Sequence, residues 1–245
     1  AHLHNLTDLI EQISIDEAFI DVSELRAPAQ QIAAELQATI MREVQLPCSL
    51  GVATNKLVAK IANNVGKRSS RGGAPPMAIK VVPPGEEAAF LAPLPVDELW
   101  GVGPKTAAGL ESLGVRTIGD LARWPEADLT ARFGKHGGDL ARRARGIDDR
   151  PVSTDHEVKS ISNETTFARD VTDEAELKRT LCRLSESVGR RLRRAGLAGN
   201  TVRIKLRWAD FTTLTRQITL TALTDRDDDI YRNAQQLLDN HWPHG

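Results

Sequence analysis

Leu99-Trp100-Gly101-Val102-Gly103-Pro104-Lys105-Thr106-Ala107, followed by Leu110, Leu113-Gly114-Val115 and Thr117-Ile118-Gly119-Asp120-Leu121, carries the most informative local pattern in the chain. Two glycines around one apolar residue let the backbone turn tightly and come close to a partner. Pro104 suits the first turn of a helix, where its missing N–H costs nothing. A lone Gly-x-Gly would be weak among 18 glycines, but here the apolar register agrees from Leu99 to Leu121. The stretch predicts a helix-hairpin-helix. Free N–H groups at the start of the second helix can hold a DNA phosphate without reading a base. Gly101, Val102, Gly103, Lys105 and Thr106 are therefore candidate DNA-binding residues; a plain helical turn is the bland alternative. Phe133-Gly134-Lys135-His136-Gly137 and the run from Ala141 to Arg150 read either as further backbone-contacting helix ends or as a solvated basic helix.

Outward from the hairpin the chain divides into three textures, which predict an α+β protein of several modules. Residues 1–83 read as a partial α/β layer: a helix over Leu6–Ile10, strand, turn and strand from Ile13 to Val22, and an amphipathic helix from Pro28 to Val44 with Ile32, Leu36 and Ile40 on one face. A strand at Ser49–Val52, a helix from Asn55 to Val65, a Gly, Ser and Arg-rich loop from Gly66 to Pro76 and a strand at Met77–Val82 complete it. Residues 84–155, opened by Pro83-Pro84-Gly85, are all-helical. Residues 156–245 read as strand (Lys159–Phe167), long helix from an Asp173 N-cap, two strands (Asn200–Trp208 and Thr213–Leu223) and helix (Asp228–Asn240). That β-α-β-β-α order is ferredoxin-like with its last strand missing.

With 40% hydrophobic and 27% charged residues, the 245-residue chain can build buried cores. No run approaches the roughly 20 apolar residues of a membrane span, and Ala1-His2-Leu3-His4 does not open a signal peptide. Two cysteines, Cys48 and Cys182, offer neither a disulfide framework nor metal-ligand spacing, so a cytoplasmic location is expected. The net charge of −1 hides an uneven distribution: between Lys178 and Arg216 there are eleven Lys or Arg against two acids, Glu186 and Asp210. Such a segment is a local electrostatic footprint for nucleic acid or a solvated charged surface. Arg203, Lys205 and Arg207 alternate along one strand and so share a face, and Arg216 is expected to join them from the next strand. Low aromatic content, 4% with one tyrosine, argues against a single-strand stacking platform.

Asp16-Glu17 sits between two short apolar runs, Ile13-Ser14-Ile15 and Ala18-Phe19-Ile20, whereas the same dipeptide at Asp97-Glu98 and Asp173-Glu174 reads as a helix entry and a cap. Adjacent carboxylates at a hairpin repel one another unless a cation lies between them, and Mg²⁺ takes one or two carboxylates together with waters and phosphates. Ser14-Ile15-Asp16-Glu17-Ala18-Phe19-Ile20-Asp21-Val22 resembles the second acidic motif of the Y-family, lesion-bypass DNA polymerases. The resemblance continues through Gly51-Val52-Ala53-Thr54-Asn55-Lys56, Ala59-Lys60-Ile61-Ala62, the hairpin, Ala144-Arg145-Gly146-Ile147-Asp148 and Lys159 to Phe167.

The resemblance implies a palm (1–83, its later part), a thumb (84–155) and a little finger (156–245). It implies Asp16 and Glu17 as catalytic, metal-binding carboxylates of a two-Mg²⁺ site, Lys67 as a contact to the incoming deoxynucleoside triphosphate, and Lys159, Ser160, Arg203, Lys205, Arg207 and Arg216 as contacts to primer-template DNA. The reaction implied is template-directed nucleotidyl transfer during translesion synthesis by a monomer. By the same resemblance the leading aspartate and the fingers belong before residue 1, leaving the two-metal site incomplete. The closing strand and the sliding-clamp tail belong after residue 245. The 245 residues alone are thus expected to bind DNA without extending it. Two other classes remain in view: a non-catalytic helix-hairpin-helix DNA-binding module, and a hairpin-containing repair glycosylase, for which Asp120 would have to be the acid.

Overall fold

The computed structural model describes residues 2–69, 75, 77–155 and 157–242, and the chain forms two compact units, Ala1–His156 and Glu157–Gly245. The first unit opens with a single 3₁₀ turn at Leu3–Asn5 rather than a helix over 6–10. Strands β1 (Ile10–Gln12) and β2 (Ala18–Ile20) then pair antiparallel, with Glu11 opposite Phe19. The hairpin expected around the acidic pair is present, but its first strand lies earlier in sequence. Ile13-Ser14-Ile15 belongs to the turn: the Ile13 and Ser14 N–H groups both donate to the Glu17 carbonyl, and Ile15 is 98% exposed. Ser14 and Asp16 bond to each other locally, which offers the backbone a turn in place of a ladder.

Helix α1 (Ala29–Val44) buries Ile32, Ala33 and Leu36 and ends at Gln45 in the left-handed region, φ 56°. A βαβ unit follows: β3 (Leu50–Val52), α2 (Lys56–Ser69) and β4 (Ile79–Val81), with β3 and β4 parallel and Leu50 opposite Ile79. Gly51 lets α2 lie directly on β3, since a Cβ there would come within 1.9 Å of the Ala59 carbonyl oxygen. Helix α2 runs past the expected end at Val65. Gly66 is buried within it, and Lys67 and Arg68 occupy its last turn, where cations suit the carbonyl end of a helix. Of the expected Gly66–Pro76 loop, residues 70–74 and 76 lie outside the described residues, as do residues 1, 156 and 243–245.

Short helices continue the unit: α3 (Glu87–Leu91), a 3₁₀ turn at Val96–Glu98, α4 (Pro104–Glu111), α5 (Ile118–Ala122), α6 (Glu126–Phe133) and α7 (Lys135–Ala144). One apolar core runs from Leu57 and Ile61 of α2 through Val82 to Leu91, Leu110, Leu121, Leu129 and Leu140. The segment after α7 returns to the start of α2. The Asn55 side-chain amide donates to the Gly146 carbonyl at 2.9 Å, and the Leu57 N–H donates to Asp148 Oδ2 at 3.2 Å. Asp148, with only 4% of its side chain exposed, also accepts both forks of Arg150, at 2.6 and 2.8 Å. The Arg150 guanidinium lies over the Trp100 ring at 4.7 Å.

In the second unit the expected strand at Lys159–Phe167 is not formed; residues 157–167 belong to no ladder. Their polar side chains are exposed, and the segment is held by side chains instead, with Arg191 donating to the Ser162 carbonyl at 2.7 Å and Lys205 paired to Glu164 at 2.8 Å. Helix α8 (Glu174–Arg194) starts as expected on Asp173, whose carboxylate accepts from the Ala175 N–H. Strands β5 (Gly199–Arg207) and β6 (Thr213–Thr224) form a two-stranded antiparallel sheet, and α9 (Asp227–His241) closes the unit. Val202 and Ile204 of β5 are buried with Ala234, Leu237, Leu238 and Trp242. The observed order is thus α-β-β-α, a mixed α+β arrangement without the first ferredoxin-like strand. Among the described residues no helix is long and apolar enough to cross a membrane.

Candidate functional site

Asp16 and Glu17 lie in the β1–β2 turn, and α2 supplies the positive charge beside them. Lys60 Nζ is 2.8 Å from Glu17 Oε2, and Lys67 Nζ is 4.0 Å from Glu17 Oε1. Asp16 is exposed; its Oδ1 accepts the Ser14 hydroxyl at 2.5 Å, which leaves Oδ2 without a partner among the described residues. The Ser14 hydrogen bond holds the Asp16 carboxyl below the usual carboxylate range; partial desolvation opposes it, and Lys67 and Lys60 add to the lowering. Asp16 is therefore ionised throughout the physiological range. Lys67 stands in the last turn of α2, not in a loop after it, as the sequence had suggested.

Lys60 was not singled out as a site residue from sequence. The signal was available: Lys60 and Lys67 are seven residues apart, which puts both on one face of a helix, but only if the helix continues past Val65. A second lysine of α2, Lys56, is buried at 8% exposure; its Nζ is 2.5 Å from Glu11 Oε2 on β1 and 5.9 Å from the Phe19 ring centroid. Phe19 in turn contacts Trp100, ring centroids 5.7 Å apart, so the acidic hairpin packs on the residue that opens the Gly101 turn.

The donor set of the hairpin fits a hard divalent cation in its chemistry, offering only carboxylate oxygens, one of them uncommitted. It is a partial set, because no group of three or more His, Cys, Asp or Glu side chains converges among the described residues.

The helix-hairpin-helix turn forms as the sequence predicts. Gly101 adopts φ +103°, a conformation that side-chain-bearing residues avoid. Val102 is buried and its N–H returns to the Leu99 carbonyl. Gly103 is the N-cap of α4 and Pro104 its first residue. The N–H groups of Lys105 and Thr106 are among the first of a helix and have no partner within it. Lys105 is exposed and Thr106 half-buried. Arg143 of α7 donates to the Trp100 carbonyl at 3.3 Å and brings a guanidinium beside the turn. Asp120 is structural: it accepts from the Thr117 and Arg116 N–H groups in a capping box at the start of α5, which removes the acid that a glycosylase reading needs.

In the second unit Arg203, Lys205 and Arg207 project from β5 on the side opposite buried Val202 and Ile204. Their neighbours across the ladder are Gln217, Thr215 and Thr213. Arg203 donates to Gln217 Oε1 at 3.0 and 2.6 Å, and Arg207 to Thr213 at 3.2 Å. Arg216 does not join this stripe. It pairs with Ile204, and residues directly opposite in a ladder share a face, so the register places Arg216 on the other side of the sheet. Lys159 and Ser160 are exposed in the extended segment before α8.

Comparison with known proteins finds three models of one family in order along the chain. The impB/mucB/samB family matches residues 1–64, the IMS family HHH motif residues 84–115, and the impB/mucB/samB family C-terminal domain residues 158–245. Among relatives, DNA polymerase IV of Desulfatibacillum aliphaticivorans is 42% identical over 238 residues, covering 96% of this chain and 58% of that protein. DNA polymerase IV of Listeria innocua is 41% identical over 235 residues, covering 95% and 64%. DNA polymerase IV 1 of Bacillus subtilis is 37% identical over 244 residues, covering 98% and 57%. The chain thus spans about three-fifths of the length of these relatives. Solved structures of similar fold include a Y-family DNA polymerase chimera, with TM-score 0.78 at 23% identity over 98% of this chain and 68% of the other. An insertion ternary complex of Dbh DNA polymerase gives 0.61 at 20% identity over 98% and 69%. From its acidic hairpin through its helix-hairpin-helix to its basic two-stranded sheet, the chain belongs to the impB/mucB/samB family.

Proposed function

We propose that this chain is the later palm (1–83), thumb (84–155) and little finger (156–245) of a template-directed DNA polymerase that works in lesion bypass. The observation that carries the reading is the Asp16-Glu17 pair in an exposed hairpin turn, faced by Lys60 and Lys67 of α2. Relatives of 37–42% identity named DNA polymerase IV support it.

Asp16 and Glu17 would hold Mg²⁺, which when bound stabilises charge on the attacking and leaving oxygens of phosphoryl transfer. Lys67 offsets negative charge on the polyphosphate of the incoming nucleotide. The N–H groups of Lys105 and Thr106, with Gly101 and Gly103 allowing close approach, hold a backbone phosphate of primer-template DNA. Lys159, Ser160, Arg203, Lys205 and Arg207 add backbone contacts that are indifferent to sequence.

The test is primer extension with Mg²⁺ by the polypeptide completed to the length of its relatives. Asp16→Ala and Glu17→Ala should each abolish incorporation while primer-template binding stays near normal, because phosphate contacts dominate affinity. Substantial synthesis by either variant removes that residue from the reading. No synthesis by the unaltered polypeptide, with DNA binding intact, leaves a non-catalytic DNA-binding role for the helix-hairpin-helix and sheet.

A further inference from the structure

Glu17 is the more tightly held of the two acids. Each of its oxygens faces an ammonium, Lys60 at 2.8 Å and Lys67 at 4.0 Å, whereas among the described residues Asp16 makes no ion pair within 4.0 Å and accepts the Ser14 hydroxyl on one oxygen. The hairpin turn itself is closed by backbone bonds from Ile13 and Ser14 to the Glu17 carbonyl. Two adjacent carboxylates in such a turn repel; Lys60 and Lys67 both offset that charge, and Lys60 makes the shorter contact, to Glu17. Its side chain is 22% exposed and that of Glu17 is 32% exposed, so the pair is partly shielded from solvent. A divalent cation bound by the same carboxylates would sit beside the Lys60 ammonium and repel it.

We infer that Lys60 is a resident counter-ion of the acidic hairpin: it holds Glu17 when no divalent cation is present and competes with the cation for that carboxylate. The inference rests on the reading of Asp16 and Glu17 as metal ligands. Its structural consequence is a positioning one. Lys60 keeps the empty hairpin in place against α2, and on loading it yields Glu17 and leaves its charge next to Lys67, on the side of α2 where a polyphosphate would lie.

Direct Mn²⁺ binding to the 245-residue chain, followed by electron paramagnetic resonance of the free ion and by the Mn²⁺-induced rise in melting temperature, tests this without any turnover. Lys60→Met should bind Mn²⁺ roughly two- to fivefold more tightly than the unaltered chain, the range expected from losing one partly exposed ion pair. Lys60→Gln should do the same, which keeps the test open if the methionine variant folds poorly. Lys60→Arg keeps the charge and should bind as the unaltered chain does, and Asp16→Ala should bind least. Asp16-dependent binding that Lys60→Met and Lys60→Gln leave unchanged or weaken overturns the inference alone. Absence of Asp16-dependent binding in every variant overturns the metal-ligand reading and the inference with it.

Discussion

Asp148 shows how much a single side chain outside the acidic hairpin can do. It caps the first turn of α2 through the Leu57 N–H and takes both forks of Arg150, which is itself seated on Trp100. Burial pushes its carboxyl up, but the Arg150 hydrogen bond and charge, together with the Leu57 N–H, outweigh this and hold it below the usual range. Asp148→Asn should therefore destabilise the first unit by about 1–3 kcal/mol at neutral pH, read as a lower melting temperature or denaturant midpoint. A depressed carboxylate contributes stability above its ordinary value near 4 and loses it as pH falls through the folded value. The difference between Asp148→Asn and the unaltered chain should thus close as the solution is taken below about pH 4. A gap that persists undiminished at pH 3 would mean that the carboxylate charge is not what Asp148 contributes. Asp16 and Glu17 were legible in the sequence as candidates because their neighbours carry a family motif. Asp148 was quoted in that resemblance, yet its role was not legible, since its partner lies 91 residues away and local pattern says nothing about contacts at that distance.

Strand β5 offers the clearest test at the scale of an element. Its alternation was readable from sequence because period two needs only the strand itself, and Arg203, Lys205 and Arg207 do fall on one side. The place of Arg216 was not readable, because it depends on the register between β5 and β6, which the turn at 208–212 sets. The log–log salt dependence of DNA binding should fall by roughly 0.9 for each stripe cation replaced by alanine, if each contacts a phosphate. Arg216→Ala should leave that slope unchanged. A triple variant of the stripe with the original slope would mean that this face does not meet DNA; a lowered slope in Arg216→Ala would put DNA on the opposite face. The missing strand at Lys159–Phe167 has a related cause. Its sequence, Lys159-Ser160-Ile161-Ser162-Asn163-Glu164-Thr165-Thr166-Phe167, has strand-like alternation, but those residues are held by Arg191 and Lys205 side chains without a backbone ladder. The end of α2 was missed because Gly66 reads as a stop, whereas in the helix it is buried beside Ala78.

On the scale of the whole molecule, two cores hold most of the buried apolar side chains among the described residues, one running from α2 to α7 and one between α8, the β5–β6 sheet and α9. Each unit should therefore unfold as its own cooperative step, giving two transitions in calorimetry. Leu237→Ala, which opens a cavity in the second core at about 2–5 kcal/mol, should move one transition, and Asp148→Asn should move the other. A single transition shifted by both variants would show that the two cores unfold as one. The first core has a further consequence, for recombination between relatives. Leu57, Ile61 and Val82 share it with Leu91, Leu110 and Leu140, so it runs without a break across Pro83-Pro84. A chimera joined at that dipeptide would have to match side chains inherited from two parents over the whole interior, and most such pairings would leave holes or clashes. A crossover near residue 156 divides no core. Natural or engineered exchange among these proteins should therefore trade the basic sheet freely, while the acidic hairpin and the Gly101 turn travel as one inheritance.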